Sequence, residues 1–583
     1  MEFCSFVRRV CCAAALLLAG SAILHAAPQQ PTPPAIALIN VNVIPMDGER
    51  VETDRAVLVQ GDRIAAIGAR DAVPIPTGAV VIDGGGRYLV PGLTDAHVHL
   101  EGDGTGGTTR PDFGDAPLYL AHGVTTVVNL RGFPIHLEWR RRIEAGQLLA
   151  PTIYTSGDFI NEPRVNTPDD VEREVRAQAR DGYDLIKFHE IRFTPGGDTT
   201  VGLSRESYLR MNEVAREIGI PLVGHAPVNL GLDVLLEARQ PLAHLGMLSN
   251  IHFLPLEGNR MWLRRTAVAT VLLVILAIAN GVARIVRGPR GVARLGRLLA
   301  IQAMAIVLAI ACGVLLFPGG PLFGSVTLRL AFTLAILMMV PATVWLVVRT
   351  IAIFRHRDAS PADRVQAAVA SSASVLLASA ALAFWMPVAW RSTDAGIDRL
   401  AKRTHDAGIP VMTTLVVYDA IGGPGQSRLA DDPTIDSLSA DVRTRWRSLS
   451  QAAMPGYRYT DFMKQVAGAL HRAGVTLIAG TDAMGMPLVA PGSALHRELE
   501  LLVGSGLTPY EAMRTATVAP ASFLRKDKEF GTVAVGRRAD LLLVDGNPLE
   551  DVTRLRRPVG VMVRGRWITR EQLRQMLTAL GGT

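Results

Sequence analysis

The stretch Asp95-Ala96-His97-Val98-His99-Leu100 follows the apolar run "YLVPGLT" at residues 88–94. In a strand, residues i and i+2 point to one side. His97 and His99 would therefore aim two imidazoles at one point. Chance spacing on a solvated strand gives the same pair, so the rest of the chain has to decide between them.

Seven further strand-like runs share the pattern of an apolar stretch ending in polar residues. They are "TTVVNL" (125–130), "PTIYTSGDFI" (151–160), "DLIKFHE" (184–190), "PLVGHA" (221–226), "PLAHLG" (241–246), "PVMTTLV" (410–416) and "TLIAGTDA" (476–483). Helical patterns such as Pro168–Asp181 and Arg205–Ile218 lie between them. Eight β-then-α units predict an α/β fold of the TIM-barrel, (β/α)8 type, with its chemistry at the C-terminal strand ends. His97, His99, Lys187, His225, His244 and Asp482 all fall at those ends. The flanks differ: residues 35–90 and 531–568 read as short strands and turns, which predicts a small β-sandwich built from both chain ends.

Hydrophobic residues make up 49% of the 583, and mean hydropathy is +0.25. The excess is concentrated at the N-terminus and between about 266 and 390. Arg8 and Arg9, the apolar stretch Val10–Leu24 and "HAAP" (25–28) read as a secretory signal cut near Ala26 or Ala27, with an uncut anchor as the alternative. Thr266–Ala283, Leu298–Phe317, Leu328–Val348 and Val365–Trp390 are each long enough to cross a bilayer as a helix. Arginines cluster between the first and second runs (Arg284 to Arg297) and between the third and fourth (Arg349 to Arg364), whereas "PGGPLFGSVT" (318–327) carries no charge. The positive-inside rule puts the basic loops in the cytoplasm and the barrel on the exported, periplasmic side of a bacterial inner membrane. The expected domain order is signal 1–27, sandwich 28–90, barrel strands 1–6 in 91–260, a four-helix transmembrane insert 261–391, barrel strands 7–8 in 392–525, and sandwich plus tail 526–583. The net charge of +7 does not point to nucleic acid, because many arginines flank the apolar runs. Cys4, Cys11, Cys12 and Cys312 all lie in or beside hydrophobic segments, which leaves no cysteine ligands for the barrel.

The motifs "VPGLTDAHVHL", "HGVTTVVNL", "DLIKF", "GHA", "AHLG", "AGTDA" and "GTVAVGRRADLLLVDGNPLEDV" resemble the metal-dependent amidohydrolase superfamily, in the branch similar to imidazolonepropionase and prolidase-like dipeptidases. The likeness covers roughly residues 35–250 and 395–570, and the membrane insert departs from it. Imidazole and carboxylate suit zinc or a similar divalent ion. His97, His99 and Asp482 are the expected ligands of one ion, and His225 and His244 of a second. The resemblance implies that Lys187 is carboxylated to a carbamate shared by the two. His189 has the strand parity of Lys187 and is a candidate substrate contact. His122 is expected to pack at a helix end, and His136, His252 and His496 to have surface or loop roles.

This set predicts hydrolysis of an amide or cyclic-amide C–N bond, with Asp482 moving the proton from water to the leaving nitrogen. A peptide or dipeptide-like substrate is preferred; esters, lactones and deamination use the same chemistry. A transporter or sensor with a hydrolase-like exported domain is the alternative class. The spans carry almost no charge apart from Arg329, which speaks against an ion path. The expected partners are a small-molecule or peptide substrate and the lipid bilayer; oligomeric state stays open.

Overall fold

The computed structural model describes residues 34–100, 113–190, 202–255, 259–287, 326–357, 359–421, 429, 431–450 and 459–581. The expected signal, the apolar run Leu298–Phe317 and all four cysteines lie outside them.

Strands β1 (Ile36–Val43), β2 (Glu52–Gln60), β3 (Arg63–Ala69) and β4 (Val80–Pro91) open the chain. The barrel strands follow: β5 (Leu93–Val98), β6 (Val124–Asn129), β7 (Thr152–Thr155), β8 (Ile186–Phe188), β9 (Leu222–Gly224), β10 (Leu242–Ala243), β11 (Val411–Met412) and β12 (Leu477–Ile478). After them β13 (Leu541–Val544), β14 (Gly560–Val563) and β15 (Arg566–Thr569) return to the first group.

Both chain ends meet in a single sheet of order β15-β14-β13-β4-β1-β2-β3. The expected sandwich is thus one continuous sheet that curls. Arg63 bridges Arg538, and the Ile64 N–H donates to Arg537 O at 2.9 Å, so edge strand β3 folds back over the C-terminal segment. The bend has a visible source. Pairing of β1 with β4 jumps from Ile39↔Asp83 to Val41↔Arg87, and the surplus in β4 is taken up around Gly84–Gly86, where Gly85 and Gly86 have φ of +60° and +75°. Such a bulge increases local twist. Leu38, Val41, Val57, Leu89, Leu541 and Met562 fill the curl.

The barrel strands pair in parallel, β5-β6-β7 in one run and β8 to β12 in another. Parallel bridges Ser156↔Leu185 and Ile160↔Phe188 join β7 to β8, and Val98↔Ala483 joins β5 to the end of β12. The eight strands therefore follow the expected order around a closed ring. Each is shorter than its apolar run, because the final residues turn outward and carry the polar side chains. One expectation fails here. "PVMTTLV" is a strand only at Val411–Met412; Thr414 turns at φ +45°, and Leu415–Ala420 is a helix. The buried Glu498 carboxylate accepts the Val416 N–H at 2.8 Å, an anion where a helix start favours one.

Outer helices obey local rules. Pro168–Arg180 starts on a Thr167/Asp170 capping box and buries Val171 and Val175. Arg205–Ile218 starts on Ser204, ends at Gly219 with φ +74°, and buries Tyr208, Met211 and Val214.

Among the described residues of the insert, three helices are long and apolar enough to cross a membrane: Arg260–Ala279, Val326–Arg355 and Pro361–Arg391. They share a core of their own, including Ala269, Leu273, Ile336, Met339, Ala373 and Leu377. Ile278, Leu334 and Val365 are more than half exposed, an arrangement that water disfavours and hydrocarbon does not.

Arg538 joins the curled sheet to the barrel. It is buried, pairs with Asp540 at 2.6 Å, reaches Thr126 Oγ1 of β6 at 2.9 Å, and lies 5.1 Å from the Phe530 ring centre. Removing one member of such a pair strands the other charge at a cost of about 3–5 kcal/mol. Arg538→Met is therefore expected to lower the thermal midpoint of detergent-solubilised protein steeply, and Arg538→Met with Asp540→Asn to recover part of the loss. A single variant as stable as the parent would show that the pair does not hold sheet to barrel.

Candidate metal centre

His97 and His99 leave β5 on one side, as strand alternation requires, and the turn after β12 brings Asp482 to them. His97 Nε2 lies 3.4 Å and His99 Nε2 2.9 Å from Asp482 Oδ1. One ligand atom from each lies within 4.8 Å of the others. Asp482 Oδ1 nonetheless takes no aligned hydrogen bond, and neither do both His97 ring nitrogens nor His99 Nδ1. Buried polar atoms are normally paired, so these lone pairs converge on a shared point rather than on one another.

The other strand ends complete the ring. His97 and His244 ring centres are 4.4 Å apart, His225 and His244 5.0 Å, and His189 and His225 4.0 Å. His244 Nδ1 pairs with Thr414 Oγ1 at 3.0 Å, which fixes the ring and leaves Nε2 to face the site. Lys187 on β8 is fully buried, and its Nζ has no hydrogen-bond partner. All seven residues expected from the sequence thus come together at one end of the barrel.

Burial dominates the electrostatics. It pushes the Lys187 ammonium down to about 7, against the pull of Asp482. Burial, then the Lys187 charge, holds the His97 imidazole well below its usual value, hence neutral. Burial alone would raise Asp482, but His244, His99 and Lys187 outweigh it and keep the carboxyl below its ordinary value. Neutral imidazoles beside an ionised carboxylate are the donor set a divalent ion requires, so the residues fit such an ion. His244 and Asp482 also hold φ of +64° and +62°, strained values for non-glycine residues that cluster at functional sites.

Above these residues lies a cavity of about 450 Å³. His99, Lys187, His225, His244, Asp482 and His189 make its floor, with His189 stacked on Phe159 at 4.5 Å. Met247, Val417, Tyr418, Tyr459 and Met486 make an apolar wall.

Two supporting residues have no assigned role in the sequence reading. Asp95 is buried and accepts Thr481 N at 3.0 Å and Thr481 Oγ1 at 2.6 Å, tying β5 to the turn that carries Asp482. Its signal is strand parity with His97 and His99. Glu498 accepts from Thr413 Oγ1 and from Val416 N, fixing the turn from which Thr414 holds His244. No local pattern announces it. His122 does pack at a helix end, with Nδ1 on Leu118 O at 2.8 Å. His136 and His496 depart from the expected surface roles: both are buried, His136 against the Phe133 N–H and Asn129, His496 against His122 O. Each ring nitrogen in contact meets a local backbone or amide group, so these two are structural. His252 lies in a single helical turn, Ser249–Phe253, of the segment after β10 and not in irregular loop.

Burial raises the Glu498 carboxyl to about 7, from an ordinary 4.5. As pH rises the unfolded chain gives up this proton first, so the Glu498 contribution to stability is greatest below about pH 4.5. It falls by up to about 3 kcal/mol toward pH 7 and is level above. Glu498→Gln can still accept from Val416 N and removes the dependence. Melting curves at pH 5 and pH 8 should show a larger alkaline loss for the parent than for the variant; equal losses would refute the assignment.

Residues 458–568 match the amidohydrolase family. An adenine deaminase of Staphylothermus marinus is 27% identical over 226 residues, which are 35% of each chain. An ochratoxinase of Aspergillus niger is 34% identical over 122 residues, 21% of this chain and 23% of the relative. The chain thus aligns with about a third and a quarter of the length of these two relatives. A solved Xaa-Pro dipeptidase, with methionine bound in its active site, superposes with a TM-score of 0.51 at 15% identity, covering 92% of this chain and 100% of the other, which is a likeness of fold. Residues 458–568 thus carry an amidohydrolase-family segment, and the chain shares its fold with the solved dipeptidase.

Proposed function

We propose that this chain is a metal-dependent hydrolase of amide C–N bonds, acting on a peptide, dipeptide-like or cyclic-amide substrate. The observation that carries the reading is the convergence of His97, His99, His225, His244 and Asp482 around a buried Lys187 without a hydrogen-bond partner. His97, His99 and Asp482 would hold one divalent ion, zinc being the preferred one, and His225 and His244 a second. A bound ion supplies Lewis acidity to the attacking water and the scissile carbonyl.

The chain's own groups do the rest. Asp482, kept ionised by its neighbours, accepts the proton of the attacking water and returns it to the departing nitrogen. A C–O bond forms, the C–N bond breaks, and the amine leaves with the proton. With a value near 7, Lys187 is substantially neutral at physiological pH. A neutral amine adds to carbon dioxide, forming an N–C bond and releasing a proton. The resulting carbamate is the anion a two-ion site needs. His189, stacked on Phe159, is placed to contact the substrate. The adenine deaminase relatives favour a second reading, in which the same residues hydrolyse an aromatic amidine carbon with loss of ammonia.

Asp482→Asn is expected to retain much of the metal and lose nearly all turnover on dipeptides, cyclic amides or adenine; parent-like turnover would refute the proton-transfer role. Lys187→Ala is expected to lose metal, read by elemental analysis, and to regain some on addition of short carboxylic acids. An unchanged metal content would remove Lys187 from the ligand set.

We further propose that the apolar helices cross a membrane and anchor the barrel on its exported side. The arginine distribution supports this orientation. Reporter fusions within 284–297 should behave as cytoplasmic and fusions near Gly320 as exported; the reverse pattern would overturn it.

A further inference from the structure

The insert meets the barrel at the rim of the cavity. Arg391, at its C-terminal end, donates from Nη1 to His252 O at 2.8 Å. His252 lies in the segment after β10, the same segment that contributes Met247 and Asn250 to the cavity lining. That segment is packed from below by the helix Tyr459–Arg472: Tyr459 and Ser249 hydroxyls are 2.8 Å apart, and Phe253 and Phe462 ring centres 5.0 Å.

Three of the four tryptophans in the described helices of the bundle lie at this same end, whereas Trp345 lies under Arg349 at 5.7 Å farther along Val326–Arg355. Trp262 lies under Arg265 at 4.6 Å. Trp385 Nε1 donates to Thr266 Oγ1 at 3.0 Å, and Trp390 Nε1 to Thr333 Oγ1 at 2.9 Å. Trp390 immediately precedes the Arg391 anchor, and Trp385 lies under two helical turns before it. Tryptophans with satisfied N–H groups, interleaved with arginines, mark the membrane–water boundary. The cavity therefore opens beside that boundary. A second cavity of about 310 Å³ at this end is lined by Met261, Val268 and Leu376 with Arg264 and Arg265. Within the main cavity a polar floor faces an apolar wall.

Resting on the reading of the site as an amide hydrolase, we infer that the substrate is an N-acyl amide with a long acyl chain. The amide carbonyl lies over the Asp482 floor, and the tail runs along Met247, Tyr418 and Met486 toward the bundle. Water adds its hydroxyl to the acyl carbon, the C–N bond breaks, and the proton goes to nitrogen. The products are a fatty carboxylate and a free amine.

The test uses the zinc-loaded full-length chain in lipid nanodiscs and N-dodecanoyl-leucine carrying a diazirine at the chain terminus. Photolabelling is expected within residues 247–262, 385–391 or 417–418. N-lauroyl-leucine should suppress it at least about tenfold better than N-acetyl-leucine, since each buried methylene favours the longer chain. Labelling confined to other parts of the bundle, or equal competition by the acetyl compound, overturns the inference. Hydrolysis separates this inference from the reading beneath it. Turnover of the lauroyl compound with kcat/KM at least about tenfold above the acetyl compound supports both. Equal turnover, or turnover of the acetyl compound alone, overturns the acyl-chain inference and leaves the amide hydrolase. Labelling of the wall with no hydrolysis of the lauroyl compound overturns it as a substrate, and if dipeptides and cyclic amides are not hydrolysed either, the hydrolase reading falls as well.

Discussion

The site depends on the closure of the barrel between β5 and β12. Asp95 makes that closure with a buried carboxylate that takes the Thr481 N–H and hydroxyl. Burial pushes this carboxyl up to about 7, a measure of how strongly the interior opposes its charge. Two aligned donors offset part of that cost. Backbone bonds continue the seam, with Asp482 N on His97 O at 2.7 Å and His99 N on Ala483 O at 3.0 Å. The approach is so close that a Cβ on Gly480 would stand 2.6 Å from His97 Cβ, so a larger residue there would push the strands apart. His97, His99 and Asp482 meet because the seam leaves them no other place.

A site built this way is poorly satisfied by its own residues. Lys187, His97 and Asp482 are buried with unpartnered atoms, and two backbone positions are strained. An arrangement of this kind persists only when the surrounding structure over-determines it. Here the surroundings are the Glu498–Thr413 and Thr414–His244 pairs on one side and the Asp95 seam on the other. A ligand that binds only the folded site stabilises the fold by mass action. An ion held there would therefore be linked to barrel stability, through the same strand ends.

Strand number, strand order and the gathering of the ligand-type residues were legible because each is a local repeat: an apolar run, then a polar residue of fixed parity. What escaped was set at long range. Glu498 looks like any helix glutamate, and its burial follows from where β11 ends. That same carboxylate accepts the Val416 N–H where the expected strand 410–416 gives way to the helix Leu415–Ala420, since short apolar runs fit either state until a partner decides. The two expected sandwich layers proved to be one sheet, because the bend at Gly84–Gly86 depends on pairing register rather than composition. His136 and His496 were misplaced because an imidazole with a backbone partner buries easily: His136 takes the Phe133 N–H within its own helix start, and His496 meets His122 O, a partner far away along the chain.

The position of the insert also has a physical logic. Loops that follow barrel strands lie on the catalytic face and tolerate added chain, and an insert survives there if its two ends return close together. Arg391 bonded to His252 meets that condition. The bundle has its own core, so it adds a unit beside the barrel instead of interrupting the barrel's packing. The loop it shares with the barrel begins at His244, whose backbone is already strained, and it supplies Met247 to the cavity wall. A free loop would have to be ordered on every binding event, at a cost of about 1–2 kcal/mol per residue fixed. Clamped between Phe462 beneath and Arg391 above, it is ordered in advance. The helices thus hold the wall of the cavity in place, and preorganisation of the site is a consequence of where the insert enters the chain.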